Sequence, residues 1–150
     1  AQDVVLQVVP MFHANAWGLP FAVAAAGAKL VLPGPKLDGQ SVYELLEGEQ
    51  VNCSAAVPTV WQVLLDFLDS KRLRLTTLKR VLIGGSACPE ALIRAFRDQH
   101  GVDVIHAWGM TEMSPLGTTA TLSQHAASLD PEAQMPYKLS QGRVPFGVDM

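Results

Sequence analysis

Short β-branched runs alternate along this chain with longer segments in which apolar residues recur at helical spacing. Val4–Val9 (VVLQVV) predicts a strand, stopped by Pro10. Trp17–Ala26 is Ala-rich and apolar on all sides, which predicts a buried helix closed by Gly27. Lys29–Leu32 predicts a second strand, ended by the turn signal Pro33-Gly34-Pro35. Ser41 with Glu44 three residues on has the form of a capping box and predicts a helix to Glu49, with Val42, Leu45 and Leu46 on one face. Asn52–Val57 predicts a third strand. Pro58 then opens a helix reaching Ser70, in which Val60, Trp61, Leu64, Leu65 and Leu68 fall at helical spacing. Val81–Ile83 predicts a fourth strand running into Gly84-Gly85-Ser86. Pro89 starts a helix that turns Ala91, Leu92, Ala95 and Phe96 inward and ends at Gly101. Val102–Ala107 reads as a fifth strand and Leu116–Leu122 as a sixth. From Ser123 to Val144 periodicity disappears while Pro, Ser and Gln rise, so a loop is predicted there.

Strand–helix alternation of this kind predicts an α/β fold, a mainly parallel β-sheet flanked by helices and joined by right-handed crossovers. Such sheets bind ligands beyond the carboxyl ends of their strands. Four segments follow or end strands: Pro10–Trp17, Val57–Thr59, Gly84–Cys88 and Trp108–Met113. The pattern therefore sends all four to one crevice.

Composition removes several function classes. At 49% hydrophobic and 17% charged, the 150 residues have an ordinary globular balance. With 11 Lys and Arg against 14 Asp and Glu, no positive excess exists to neutralise phosphate backbones, which excludes nucleic acid as an expected partner. The longest apolar stretch, Leu19–Leu32, contains Pro20, Gly27 and Lys29 and is too short to span a bilayer. The opening residues lack the basic start and long apolar run of a leader, so the cytoplasm is the expected compartment. Cys53 and Cys88 lie in apolar surroundings without C-x-x-C spacing and are expected to be buried, reduced thiols.

Three segments could carry chemistry. In Trp108-Gly109-Met110-Thr111-Glu112 an aromatic ring at a strand end can stack a flat heterocycle, and the glycine lets backbone approach a ligand. The Thr111 hydroxyl can bond a phosphate oxygen. The Glu112 carboxylate can hold Mg²⁺, which takes few protein ligands. A capped turn with a solvated Glu fits the same spacing. Gly84-Gly85-Ser86-Ala87 joins a strand to a helix and offers backbone amides to a polar ligand, or is simply a tight turn. It is neither a dinucleotide fingerprint nor a P-loop. His13, in Pro10-Met11-Phe12-His13, stands at a strand end, where a lone histidine is more often structural. No Gly-x-Ser-x-Gly elbow recruits it, and His100, His106 and His125 give it no metal-ligand spacing.

Taken in order, Pro10-Met11-Phe12-His13, residues 27–33 (GAKLVLP), Val57-Pro58-Thr59, Leu82-Ile83-Gly84-Gly85-Ser86-Ala87 and Trp108-Gly109-Met110-Thr111-Glu112 resemble the AMP-forming acyl-CoA synthetases of the adenylate-forming superfamily. Gln141-Gly142-Arg143 with Pro145 and Gly147 resembles that family's next block, so the likeness covers nearly the whole chain. Asn15-Ala16-Trp17 and Met113-Ser114-Pro115 resemble the medium- and long-chain fatty acyl-CoA synthetases in particular.

The resemblance implies a subdomain of the large N-terminal domain of such an enzyme. That enzyme would activate a fatty acid, or another small carboxylic acid, with ATP and Mg²⁺ to an acyl-adenylate and pass the acyl group to coenzyme A. Trp108 stands where the family has an aromatic residue, usually Tyr, beside the adenine. Thr111 matches the threonine on the adenylate phosphate and Glu112 the Mg²⁺ ligand, a catalytic pair with His13. Gly85, His106, Ala107 and Gly109 match positions around the nucleotide and acyl carboxylate. His13, Trp17, Val57, Pro58 and Gly85 match the acyl site, with Trp17 resembling the gate of its tunnel. Ala107 replaces the frequent Gly, and Trp108 the frequent Tyr. The resemblance also places the phosphate loop before Ala1, and the ribose-binding aspartate and C-terminal domain after Met150, so residues 1–150 alone are expected to be inactive. An aryl-CoA ligase, a peptide-synthetase adenylation domain and a non-catalytic α/β binding module are the alternatives. Self-association is expected through sheet edges exposed in so short a piece.

Overall fold

The computed structural model describes residues 3–150. In chain order its strands are β1 (Val4–Gln7), β2 (Lys29–Val31), β3 (Cys53–Ala56), β4 (Arg80–Ile83), β5 (Asp103–Gly109) and β6 (Leu116–Thr119). They form one sheet in the order β2-β1-β3-β4-β5-β6. The first five run parallel and β6 is antiparallel to β5. The helical elements are α1 (Ala14–Trp17), α2 (Leu19–Ala25), α3 (Gly39–Gly48), α4 (Pro58–Lys71), α5 (Glu90–Ala95), α6 (Gln124–Ala127) and α7 (Pro131–Leu139), and a π turn (Phe96–His100) continues α5. The predicted mainly parallel sheet with flanking helices is present.

The strand order changes direction at β1. The chain moves outward from β1 to β2, then returns past β1 to β3 and continues to β5. Helices therefore cover the two faces unequally. One face packs under α3, α4, α5 and α7, with Leu6, Val81, Ile83 and Val104 of the sheet against Val42, Leu46, Trp61, Leu64, Leu68, Leu92 and Met135. Trp61 and Phe96 meet edge to face at its centre, 5.7 Å between ring centroids. The other face is covered only by α1 and α2, over Val5, Cys53, Ala55 and Leu82. Both cysteines are free and buried. Among the described residues no helix is long and apolar enough to cross a membrane.

Three predicted elements are corrected. The helix expected over 17–26 begins at Leu19 and is not buried on all sides: Val23 is its buried residue, and Phe21 is 68% exposed. Asp38, not Ser41, caps α3; its carboxylate accepts from the Ser41 backbone N–H at 3.0 Å, and Glu44 accepts from Gln40 instead. The stretch 123–144 is not a plain loop, for α6 and α7 lie in it, capped by Ser123 and Asp130.

Charge fastens α7 to α5 and to the start of β5. Arg94 donates two hydrogen bonds to the Glu132 carboxylate, at 2.7 and 2.6 Å, and Lys138 pairs with Asp103. Hydrogen bonds from Arg94, then its charge and that of Arg97, hold the Glu132 carboxyl at about 2 against an ordinary 4.5. A carboxyl depressed in the folded state contributes stability that is complete above its unfolded value and is lost as pH falls through its folded value. The attachment of α7 should thus weaken as pH drops from 4.5 to about 2. The protection factors of the α7 amides, which are exchange rates corrected for the intrinsic pH dependence of amide exchange, should fall across that window in the wild type and lose most of that dependence in Glu132→Gln. The pair is exposed, so the effect should be modest; an identical pH profile in the variant contradicts it.

Candidate functional site

The carboxyl ends of β1, β3, β4 and β5 open on the thinly covered face. After β1 the chain makes an unusual turn: Ala14, Asn15, Ala16 and Trp17 all have positive φ, from 44° to 57°, and Gly18 continues at 74°. Left-handed backbone costs about 1–2 kcal/mol per L-residue, so the turn must be held from outside. Ala16 is fully buried with Val9 and Ala55, and Ala16 N–H donates to the His13 carbonyl at 2.9 Å. The turn delivers Trp17 over the β4 end. A Cβ on Gly84 would stand 3.4 Å from the Trp17 ring and 3.0 Å from the Ala107 carbonyl oxygen. Gly85 adopts φ 79°, a conformation that suits glycine.

β5 ends in a second wall. Its ladder with β6 is irregular between Trp108 and Gly109, and the backbone of Pro115 crosses so close to Gly109 that no side chain fits there. The Met110 N–H donates to the Pro115 carbonyl at 2.8 Å. This pinch forces Thr111–Met113 into one 3-10 turn that carries Thr111 and Glu112 to the surface. Among the described residues, neither side chain makes a hydrogen bond or ion pair.

Between these walls lies a cleft of about 410 Å³. Its floor is small and apolar, formed by Ala55, Leu82 and Ala107. Trp17 with Gly84 and Gly85 closes one side, and Trp108 with Gly109 the other. His13, Thr111 and Glu112 stand at its rim, all exposed. An apolar chamber between two indoles with a few polar groups at its mouth suits a ligand that has a flat ring, an apolar part and an anionic part.

Eight of the singled-out residues meet here: His13, Trp17, Gly85, Ala107, Trp108, Gly109, Thr111 and Glu112. Three do not line the cleft. His106 points to the opposite face, buried, its Nδ1 bonded to the Leu139 carbonyl at 3.1 Å. Pro58 is buried at the start of α4. Val57 stands behind the wall, its Cγ1 3.1 Å from the Cβ position of Gly85. Sequence reasoning passed over Ala55 and Leu82, although strand alternation aligns them with Cys53 and Val5 on one face. Cys88 stays clear of the cleft, and burial pushes its thiol up to about 11.

The whole chain, residues 1–150, matches the family of AMP-binding enzymes. It is 51% identical over 150 residues to the medium-chain-fatty-acid–CoA ligase of Ectopseudomonas oleovorans, covering 100% of this chain and 28% of that protein. It is equally 51% identical to a 3-methylmercaptopropionyl-CoA ligase of Ruegeria pomeroyi, again over 28% of that protein, and 49% identical to a long-chain-fatty-acid–CoA ligase of Thermus thermophilus, over 94% of this chain and 26% of that one. Among solved structures it superposes on the N-terminal domain of FACL13 from Mycobacterium tuberculosis with TM-score 0.79 and 26% identity, over 97% of this chain and 34% of that one. O-succinylbenzoate coenzyme A synthetase from Bacillus subtilis, in complex with ATP and magnesium ion, aligns with TM-score 0.76 and 26% identity, over 97% of this chain and 28% of that one. The chain thus spans little more than a quarter of the length of these curated relatives. Its sheet, its cleft and its match along every residue lead to one conclusion: this chain belongs to the AMP-binding enzyme family.

Proposed function

We propose that this chain forms the acyl- and adenine-binding part of an AMP-forming fatty acyl-CoA ligase. One observation carries the reading: a single cleft holds an apolar floor, two indole walls and a Thr–Glu rim. In the complete enzyme a fatty-acid carboxylate oxygen attacks the α-phosphorus of ATP, and the bond to pyrophosphate breaks. The thiol of coenzyme A then attacks the acyl carbon of the adenylate and AMP leaves. Trp108 stacks on the adenine and Gly109 lets the nucleotide approach the backbone. The Thr111 hydroxyl donates to the α-phosphate. Glu112, exposed at the rim, would hold a Mg²⁺ ion, which would supply charge neutralisation at the phosphate. His13 stands at the rim where acid and phosphate meet. Trp17, Gly85 and Ala107 bound the acyl part, braced from behind by Val57. Beyond that charge neutralisation, aligning both reactants in one chamber provides most of the rest of the rate enhancement.

The relatives' names cover medium-chain, long-chain and 3-methylmercaptopropionyl substrates. The test is ATP–pyrophosphate exchange by the complete enzyme with short thioether acids, fatty acids of increasing length, aromatic acids and amino acids. Fatty acids should give the highest exchange; a preference for aromatic or amino acids overturns the reading. Trp17→Ala should then shift preference toward longer or bulkier acids, because the indole closes the β4 side of the cleft. An unchanged chain-length profile rules out Trp17 as a limit on the acyl chain.

A further inference from the structure

Gly117, the second residue of β6, has no conformational need to be glycine, since it is not among the residues with positive φ. It is buried, and a glycine inside a strand weakens it unless something approaches closely. What approaches is Trp108. A Cβ on Gly117 would stand 2.5 and 2.6 Å from Cζ3 and Cε3 of that indole and 2.8 Å from Sδ of Met113. The benzo half of the ring therefore lies directly on the Gly117 backbone, and the thioether lies beside it. Trp108 pairs with Thr118 across the ladder, so its own backbone is fixed. Normal carbon contacts need about 3.5–4.0 Å, so even one methyl group at 117 displaces the ring by about 1 Å. Met113 could give way by rotating about its flexible side chain, but a rigid indole can only tip away from the glycine, into the cleft it borders.

We propose that Gly117 is a positioning residue for nucleotide binding: it is the seat that sets the depth and tilt of Trp108, with Met113 as its side rest. The proposal rests on the reading that Trp108 stacks on the adenine. It explains how a large indole is accommodated at this wall: the strand opposite carries no side chain there.

The experiment uses the complete enzyme with Gly117→Ala, Trp108→Ala and the double variant. Gly117→Ala should raise the KM for ATP about tenfold while kcat and the KM for fatty acid stay within about twofold, a stacking-sized loss confined to the nucleotide. In the Trp108→Ala background the same substitution should change the KM for ATP by less than about twofold, because the group it displaces is gone. Equal effects in both backgrounds, or none in either, overturn the proposal. Ring position is read separately from a crystal structure of Gly117→Ala, and an unmoved indole overturns the seat whatever the kinetics. If Trp108→Ala leaves the KM for ATP unchanged, the adenine reading falls, whereas a displaced ring would still establish the seat. Should Gly117→Ala fail to fold, the double variant must fold; its failure too would refute the proposal.

Discussion

Glu112→Ala in the complete enzyme is expected to lower adenylate formation by about a hundredfold and to raise the Mg²⁺ concentration needed for half-maximal rate. The size is what the proposed role implies, since the variant would remove a charge placed where phosphate charge develops. Its selectivity follows from the geometry. Glu112 is exposed on a one-turn 3-10 segment and, among the described residues, holds no hydrogen bond or ion pair. Truncating this exposed side chain breaks no hydrogen bond or ion pair among the described residues, so stability should move by less than about 0.5 kcal/mol. Loss of rate without loss of stability is the signature of a ligand-binding carboxylate. Glu112→Asp keeps the charge but withdraws it by one methylene, and should recover part of the rate at high Mg²⁺. Wild-type adenylate formation at limiting Mg²⁺ in Glu112→Ala would refute the role.

How much of this site was legible in the sequence depends on the distance over which each feature is encoded. The parallel strands were readable because burial on both faces demands continuous apolar runs, such as VVLQVV, punctuated by Pro and Gly. The convergence of strand-end segments followed from topology alone, and the cleft contains members of three of the four. The left-handed turn at Ala14–Trp17 was not readable. Alanine has no local preference for that conformation, which is imposed by burying Ala16 against Val9 and Ala55, residues from β1's end and β3. Helix α7 escaped for a related reason. Its signals, Asp130 as cap and Pro131 in the first turn, are local and sound. Yet Pro136 interrupts its interior and only Met135 and Lys138 are buried, so no apolar stripe forms. Its polar ties, Arg94 to Glu132 and Lys138 to Asp103, span 38 and 35 residues of sequence, and Met135 packs into a core built from distant elements. His106 shows the limit in the opposite sense: its place in the motif suggested the site, but strand alternation turned it toward α7.

That division of the sheet into a packed face and an open face leads to the largest expected stability effect. Trp61→Ala should destabilise the folded enzyme by about 3–5 kcal/mol, a large part of the roughly 5–15 kcal/mol that holds a domain together. Trp61 is fully buried, sits edge-on to Phe96, and plugs the junction of α4, α5 and the sheet. The indole also carries a cost, because its Nε1 finds no hydrogen-bond partner among the described residues. An unpaired buried donor costs about 1–3 kcal/mol. Trp61→Phe removes that donor while keeping one aromatic ring against Phe96, and should therefore cost far less than the alanine variant. Urea denaturation compares the two directly. The cleft lies across the sheet from this cluster, and Trp61 does not line it. The folded fraction of Trp61→Ala, assayed at low temperature, should accordingly keep a KM for ATP within about twofold of wild type, since distant sites act independently. A large rise in that KM would mean that packing on the helical face sets the geometry of the cleft, and that the two faces do not divide stability from binding.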